Sequence, residues 1–494
     1  MMLNIAIFLP LITAAFVLLT PTSRPLMARS ISLIGAVLTL AATAVLWVGF
    51  DPADPALQWR ITWPWIPAIG ASYDVAVDGL ALPLIALTAL LLLVVAIYVL
   101  PQHERAKEHA FFLLLMATGL IGLFSAQDLL LFYLFFEIAL VPMYFIIGIW
   151  GSEHRRYAAI KFFLYTRAGS LAMLLSFLGL YLAMEPHTFS LPAIVEAQPL
   201  AGATPASGLV LLGMFLGFGV KLPIVPLHNW LPDAHVEAPT EGSVLLAGVL
   251  LKMGGFGFLR VMLPCLPDAA RQYGWVLVGL ALISLVYGAL AALAQQNFKR
   301  LVAYTSINHM GYVMLGVAVW ALSNDEAVKQ LAINGATLQM VSHGLLTGGM
   351  FFMAGILQHH AGTGVMDRFG GLLEHTPVYS VLLGLLVFGS LGLPGLSGFI
   401  AEFQVIGASL DVGVWVAAVT VLSLIITTGL YIRVLVTLVM GGPPSDMPAL
   451  PDLGPRELGA VVPLAILSVL IGILPAHIVS IIEGATRTLT HTGG

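Results

Sequence analysis

The sequence predicts an all-α polytopic membrane protein that crosses the bilayer about fourteen times, at roughly 20 residues per crossing. Three observations lead there. The 494 residues are 59% apolar and only 9% charged, whereas an ordinary soluble domain is about a quarter charged. The mean hydropathy is +0.98. Long apolar runs are separated by short loops that hold most of the charge. The net charge of −5 says little, because the charges are segregated.

The runs lie near 3–20, 30–50, 79–100, 110–126, 129–150, 161–184, 208–230, 241–263, 274–294, 301–322, 332–357, 377–410 (interrupted), 413–439 and 457–482. Met1 to Thr20 has no basic segment before it and reads as the first spanning helix, not as a cleaved leader. No intervening loop exceeds about 25–30 residues, so no large soluble domain is expected. The single cysteine, Cys265, excludes an internal disulfide and any iron–sulfur cluster ligated by this chain alone.

The loops alternate in sign. Those after odd-numbered runs carry eleven of the basic residues, among them Arg24, Arg29, Arg105, Lys107, Arg155, Arg156, Lys161, Lys299 and Arg456. Loops after even-numbered runs, with the C-terminal tail, carry five: Arg60, Arg260, Arg271, Lys329 and Arg487. By the positive-inside rule the first set is cytoplasmic, which places both termini outside. Lys221, Lys252, Arg167 and Arg433 fall inside runs.

Two runs are broken by glycine and proline. Residues 218–223 read FGVKLP and 388–394 read FGSLGLP. Proline removes a backbone donor and tends to break a helix. Broken helices in hydrocarbon survive only where protein or water covers the freed groups, and transporters build ion sites there. The echo suggests a repeat of five helices, runs 4–8 and 9–13. On these letters alone chance explains it equally well, because Gly and Pro are common in membrane helices.

Buried ionisable residues carry the functional signal. Glu137 is the only charge in LLLFYLFFEIALVPMYFIIGIW, about 12 Å along its helix, too deep to snorkel. Lys221, at the first break, is its expected partner. Lys252 stands deep in the next run. Burial disfavours a charged lysine and a nearby carboxylate favours it, so a lysine between those influences can gain and release a proton. His228, His309 and His343 lie at or within runs, and histidine titrates near neutral pH. Glu402 follows the second break. The competing reading of all these residues is structural ion pairing and packing between helices. Haem ligation would need facing histidine pairs, which no run supplies. Asp233, His235 and Glu237 lack a metal-ligand spacing. Arg167 and Glu241 read as surface or interhelical pairing residues.

KLPIVPLHNWLPDAHVEAPTEGSVLLAGVLLKMGGFGFLR, with LFYLFFEIALVPMYFIIGIWG, KFFLYT, INHMGYVMLG, SHGLLTGGMFFMAGIL and GLPGLSGFIAEF, resembles the antiporter-like subunit M family of respiratory complex I, over roughly residues 80–460. The resemblance implies two inverted five-helix repeats, each with a discontinuous helix. The expected divisions are 1–109 (helices 1–3), 110–263, 264–440 and 441–494 (helix 14). It implies a mid-membrane proton relay of Glu137, Lys221, Lys252, His228, His309, His343 and Glu402. It implies no cofactor or metal in this chain, with flavin, iron–sulfur clusters and quinone in other subunits. The expected partners are membrane-arm subunits, two of them sister antiporter-like chains, and the lipid bilayer, with no nucleic acid. The expected location is a bacterial inner membrane. Sister subunits and cation/proton antiporter chains typically carry lysine where this chain has Glu402. The family's usual apolar residue after KFFLYT is Arg167 here, and its usual alanine in APTAGS is Glu241. Neither is expected to touch the relay. The remaining alternatives are a subunit of a multi-subunit cation/proton antiporter and a membrane scaffold whose charges only join helices.

Overall fold

The computed structural model describes residues 1–102, 104–444, 447 and 449–491. Helix is the expected state, because a lipid-facing backbone must satisfy its polar groups within its own segment. The principal helices are α1 (Met2–Leu18), α2 (Pro25–Val48), α3 (Ala81–Tyr98), α4 (Ala106–Ser125), α5 (Leu129–Trp150) and α6 (Arg155–Ala183). A first broken pair follows, α7 (Pro205–Lys221) and α8 (Trp230–Glu237). Next come α9 (Thr240–Cys265), α10 (Gly274–Leu293), α11 (Phe298–Leu322) and α12 (Glu326–Ala361). The second broken pair is α13 (Pro377–Ser390) and α14 (Ser397–Val412), followed by α15 (Val414–Met440), α16 (Pro455–Ile473) and α17 (Ala476–His491).

Among the described residues, 10 helices are long and apolar enough to cross a bilayer, against the roughly fourteen crossings predicted. The difference lies in segments that are short, broken or polar inside. α1, α7 and α13 are shorter apolar helices, and α11 carries Thr305, Ser306, Asn308 and His309 on buried positions. Burial separates centre from rim. The spanning windows of α12 and α9 are 100% and 94% buried, those of α2 and α15 39% and 33%. The two central helices carry His343 and Lys252.

Two elements differ from expectation. The run predicted as one helix over 457–482 is two, because Pro475 ends α16 at Ile473. Within 51–78, treated above as loop, an antiparallel hairpin forms from β1 (Gln58–Ile66) and β2 (Ala71–Val77), with Thr62 opposite Asp74. Asp128 ties this hairpin to the membrane helices. Its Oδ1 accepts from the backbone N–H of Leu130 and Leu131, capping α5, while Oδ2 accepts from Ser72 N–H at 2.9 Å.

Candidate functional site

The first break places a lysine at a helix end. α7 stops at Lys221, so the carbonyl end of the half-helix meets the ammonium, the favourable end for a cation. The backbone groups freed by the break find partners. Trp230 Nε1–H donates to Val220 O at 2.9 Å, and Val225 N–H to Ser284 Oγ on α10 at 3.0 Å. Gly254 of α9 lets the break pack close, since a Cβ there would stand 2.4 Å from Phe218 O. Lys221 is fully buried, and its Nζ has no hydrogen-bond partner among the described residues. It lies over the rings of Phe162 and Phe136, at 5.2 and 5.7 Å from their centres.

Lys252, Lys221's counterpart on α9, lies between two wide turns of π-helical type, Leu246–Leu250 and Phe258–Met262. Such turns shift the helix face and frequently occur at functional positions. Lys252 is fully buried; its Nζ donates to the Ala247 carbonyl and meets His343 Nδ1 at 2.6 Å. The His343 and His309 rings stand edge to face, 5.5 Å apart. His309 Nε2 lies 3.2 Å from Ser390 O, at the end of α13, and 3.9 Å from Glu402 Oε1. A cavity of about 10 Å³ among His309, His343 and Glu402 is close to the least volume that holds one water. Glu402 is placed by the second break. Gly392 adopts φ +76°, and a Cβ there would lie 2.7 Å from Glu402 Oε2. Four helices thus bring Lys252, His343, His309 and Glu402 into one buried row.

Glu137 stays within electrostatic reach of Lys221, as expected, but its direct ion-pair partner is Arg167. Arg167 Nη1 lies 2.7 Å from Glu137 Oε2 and donates to Tyr133 OH at 3.1 Å, while Ser170 Oγ donates to Glu137 Oε1 at 2.6 Å. Arg167 therefore does touch a predicted relay position. The reason is side-chain direction. Arg167 and Ser170 share one face of α6 against α5, whereas Lys221 is held behind Phe136 and Phe162. The pair lies toward the rim of the molecule, with the Arg167 side chain 39% exposed. His228 also stands apart, with its ring against Tyr287. Asp233, His235 and Glu237 diverge. Asp233 pairs with Lys161 at 2.6 Å, Glu237 accepts from Ser152, and His235 stacks on Phe351.

One cluster was not foreseen. Glu241 pairs with His109 on α4 at 3.0 Å, and Arg29 on α2 donates to the same ring at 2.8 Å. The charge pattern places Arg29 in a loop, and a lone histidine one turn into a helix, such as His109, carries no signal of its partners. Across the molecule, Arg260 pairs with Asp78 at 2.9 Å and donates to Gln127.

The family model "NADH:quinone oxidoreductase/Mrp antiporter, TM" matches residues 126–427. The chain is 37% identical to NADH-quinone oxidoreductase subunit M of Rickettsia conorii, over 99% of this chain and 98% of that one. It is similar in structure to a chain of respiratory complex I from Thermus thermophilus with bound NADH, with TM-score 0.89, 32% identity and full coverage of both chains. A chain of the Mrp complex from Dietzia shares the fold, with TM-score 0.81 at 19% identity over 99% of this chain and 100% of that one. The chain belongs to the NADH:quinone oxidoreductase/Mrp antiporter transmembrane family, in its NADH-quinone oxidoreductase subunit M branch.

Proposed function

We propose that this chain is a proton-translocating membrane-arm subunit of a NADH:quinone oxidoreductase, driven by quinone reduction elsewhere in the complex. The observation that carries the reading is the buried row Lys252–His343–His309–Glu402 across the two most buried helices and the second break. Intramembrane ionisable groups are expensive, and a contiguous set of them is how membrane proteins move protons. In this reading Lys252 receives a proton, the two histidines pass it on, and Glu402 is the last carboxylate. Lys221 is the station before Lys252, with Glu137 and His228 on the approach. Glu402, at a position where antiporter chains typically carry lysine, sets this reading above a stand-alone cation/proton antiporter.

The two repeats, 110–263 and 264–440, each contribute a broken helix. The chain provides no redox centre, and flavin, iron–sulfur clusters and quinone belong to other subunits. Its neighbours are membrane-arm subunits, including sister antiporter-like chains, in a bacterial inner membrane with both termini periplasmic.

The reading is tested at Glu137. In the assembled complex Glu137→Gln keeps one oxygen to accept from Arg167, while its amide N–H must donate to Ser170 Oγ in reverse of the native bond, and it removes the charge that answers Arg167. Proton pumping and coupled quinone reduction are expected to fall about tenfold or more. Unchanged pumping would return Glu137 to a purely structural pair. The orientation is tested by a cysteine introduced at Arg105, which is expected to resist an impermeant thiol reagent applied to intact cells. Ready labelling there inverts the topology.

A further inference from the structure

On the face that carries the basic loops, a cavity of about 420 Å³ opens between α3, α5, α9, α11, α12 and α16. Its wall includes Glu241, which is 1% exposed and whose Oε2 has no partner among the described residues. A buried carboxylate oxygen left without a donor is costly unless it serves a purpose. The other oxygen, Oε1, is fixed from behind. Arg29 Nη1 donates to His109 Nδ1, and a guanidinium has no acceptor, so Nδ1 carries no proton in this arrangement. The proton of neutral His109 is therefore on Nε2, which lies 3.0 Å from Glu241 Oε1 without forming an aligned hydrogen bond. Arg29, 1% exposed and also bonded to Gln102 O, holds the ring. Glu241 thus lines the cavity with its carboxylate held beside His109.

We propose that this cavity is a second proton inlet, beside the approach through Lys221, ending at Glu241, with Arg29 and His109 as positioning residues, and that His235 is the step between this inlet and Lys252. The proposal rests on the reading of the chain as a proton translocator. The Glu241 carboxylate takes a proton from cavity water, becoming a neutral acid. It then releases that proton inward and returns to carboxylate. His235 is suited to receive it. The ring is fully buried with both nitrogens without partners among the described residues, and because Lys299 and Lys252 disfavour a charged ring it passes a proton by taking one on one nitrogen as the other nitrogen releases one. Ser243 of α9 ties its backbone to the inlet helix, with Oγ donating to His235 O.

The charged groups around Glu241 set the balance. Lys299 lines the cavity from α11 and attracts its carboxylate form. Glu237 of α8 and Glu457 of α16 oppose that charge across the same space, while Arg456 adds a second cation at the rim. Tyr98 of α3 contributes a neutral phenol to the wall. The cavity's mixed lining favours water and protons over a bound metal cation, which Lys299 and Arg456 would repel.

The test compares Glu241→Gln and Glu241→Asp in the assembled complex, in everted vesicles, following quinone reduction and dye-reported proton uptake from acidic to alkaline medium. Glu241→Gln is expected to slow both by about tenfold in alkaline medium and by less in acid, where protons are plentiful, and Glu241→Asp to restore most of the rate. A structural role would alter the yield of complex and leave the pH profile of the assembled fraction untouched, which would overturn the proposal. Ser152→Cys, at the cavity mouth, gives a second arm that leaves Glu241 in place. The chain's one native cysteine, Cys265, is buried. A bulky thiol reagent added to these vesicles is expected to cause a loss of proton uptake that a reductant reverses; no loss overturns the inlet. If wild-type vesicles move no protons, the underlying reading fails. If they do, and Lys252→Arg abolishes the movement while Glu241→Gln matches wild type at every pH, the inlet alone is wrong.

Discussion

Lys252→Arg will assemble and fail to translocate protons. Lys252 is the point where α9 hands over to α12, with Nζ 2.6 Å from His343 Nδ1 and bonded to the Ala247 carbonyl between two widened turns. If the lysine only balances charge and joins helices, arginine serves, since it is cationic in every state. If it passes protons, arginine fails, because a guanidinium does not deprotonate in proteins. His343 then has no partner that can give up a proton. The expected loss is about a hundredfold in proton uptake per electron, the scale of a positioned acid–base group. The measurement is dye-reported acidification of everted vesicles during NADH oxidation, with assembly checked on native gels. Arginine variants that assemble and pump as wild type would leave Lys252 a structural cation. Lys221→Arg is expected to behave alike, since arginine keeps its charge whatever the state of Glu137, which lies within electrostatic reach of Lys221.

Glu402→Gln will remove the far end of the row with little disturbance of the fold. The side chain is 4% exposed, with Oε1 3.9 Å from His309 Nε2 and Oε2 beside the backbone of Gly392. Glutamine is nearly isosteric, so assembly is expected to survive. The amide cannot carry a proton onward, and uptake is expected to fall about tenfold or more. Glu402→Asp separates reach from charge, because it keeps the carboxylate but withdraws it by one methylene from His309. An intermediate rate fits a relay, whereas equal rates for Glu402→Gln, Glu402→Asp and wild type remove Glu402 from the path.

The row was legible in the sequence because each member breaks a local rule. A lysine inside hydrocarbon, a glutamate after a glycine-rich break and histidines in apolar helices each stand out alone. The breaks were legible for the same reason, since proline and glycine act through their own backbone. Partner choice was not legible. One residue of helix is about 100° of rotation, so whether Glu137 meets Lys221 or Arg167 depends on how α5, α6 and α7 pack. His109 and Arg29 became visible only when α2 and α4 set them against Glu241. The hairpin at 58–77 escaped because Pro64 inside β1 argues against a strand and its anchor, Asp128, lies more than fifty positions from Ser72. The two departures from the family pattern, Arg167 and Glu241, are interhelical pairing residues as the sequence suggests, but their partners, Glu137 and His109, were not legible.

The aromatic faces beside Lys221 make that side chain's position depend on its electrical state. A desolvated ammonium over such a ring gains about 2 kcal/mol, and a neutral amine gains almost none of it. While charged, Lys221 is drawn to Phe136 and Phe162 and to the carbonyl end of α7. Once discharged, it loses both attractions together and its four-carbon stem is free to swing. If Lys221 carries protons, as proposed, the break would work as a rectifier, in which a moving proton also moves the arm that carried it. Phe136→Leu and Phe162→Leu would leave the same ionisable groups in place and weaken only the directionality, so that protons leak backward when the driving reaction stops.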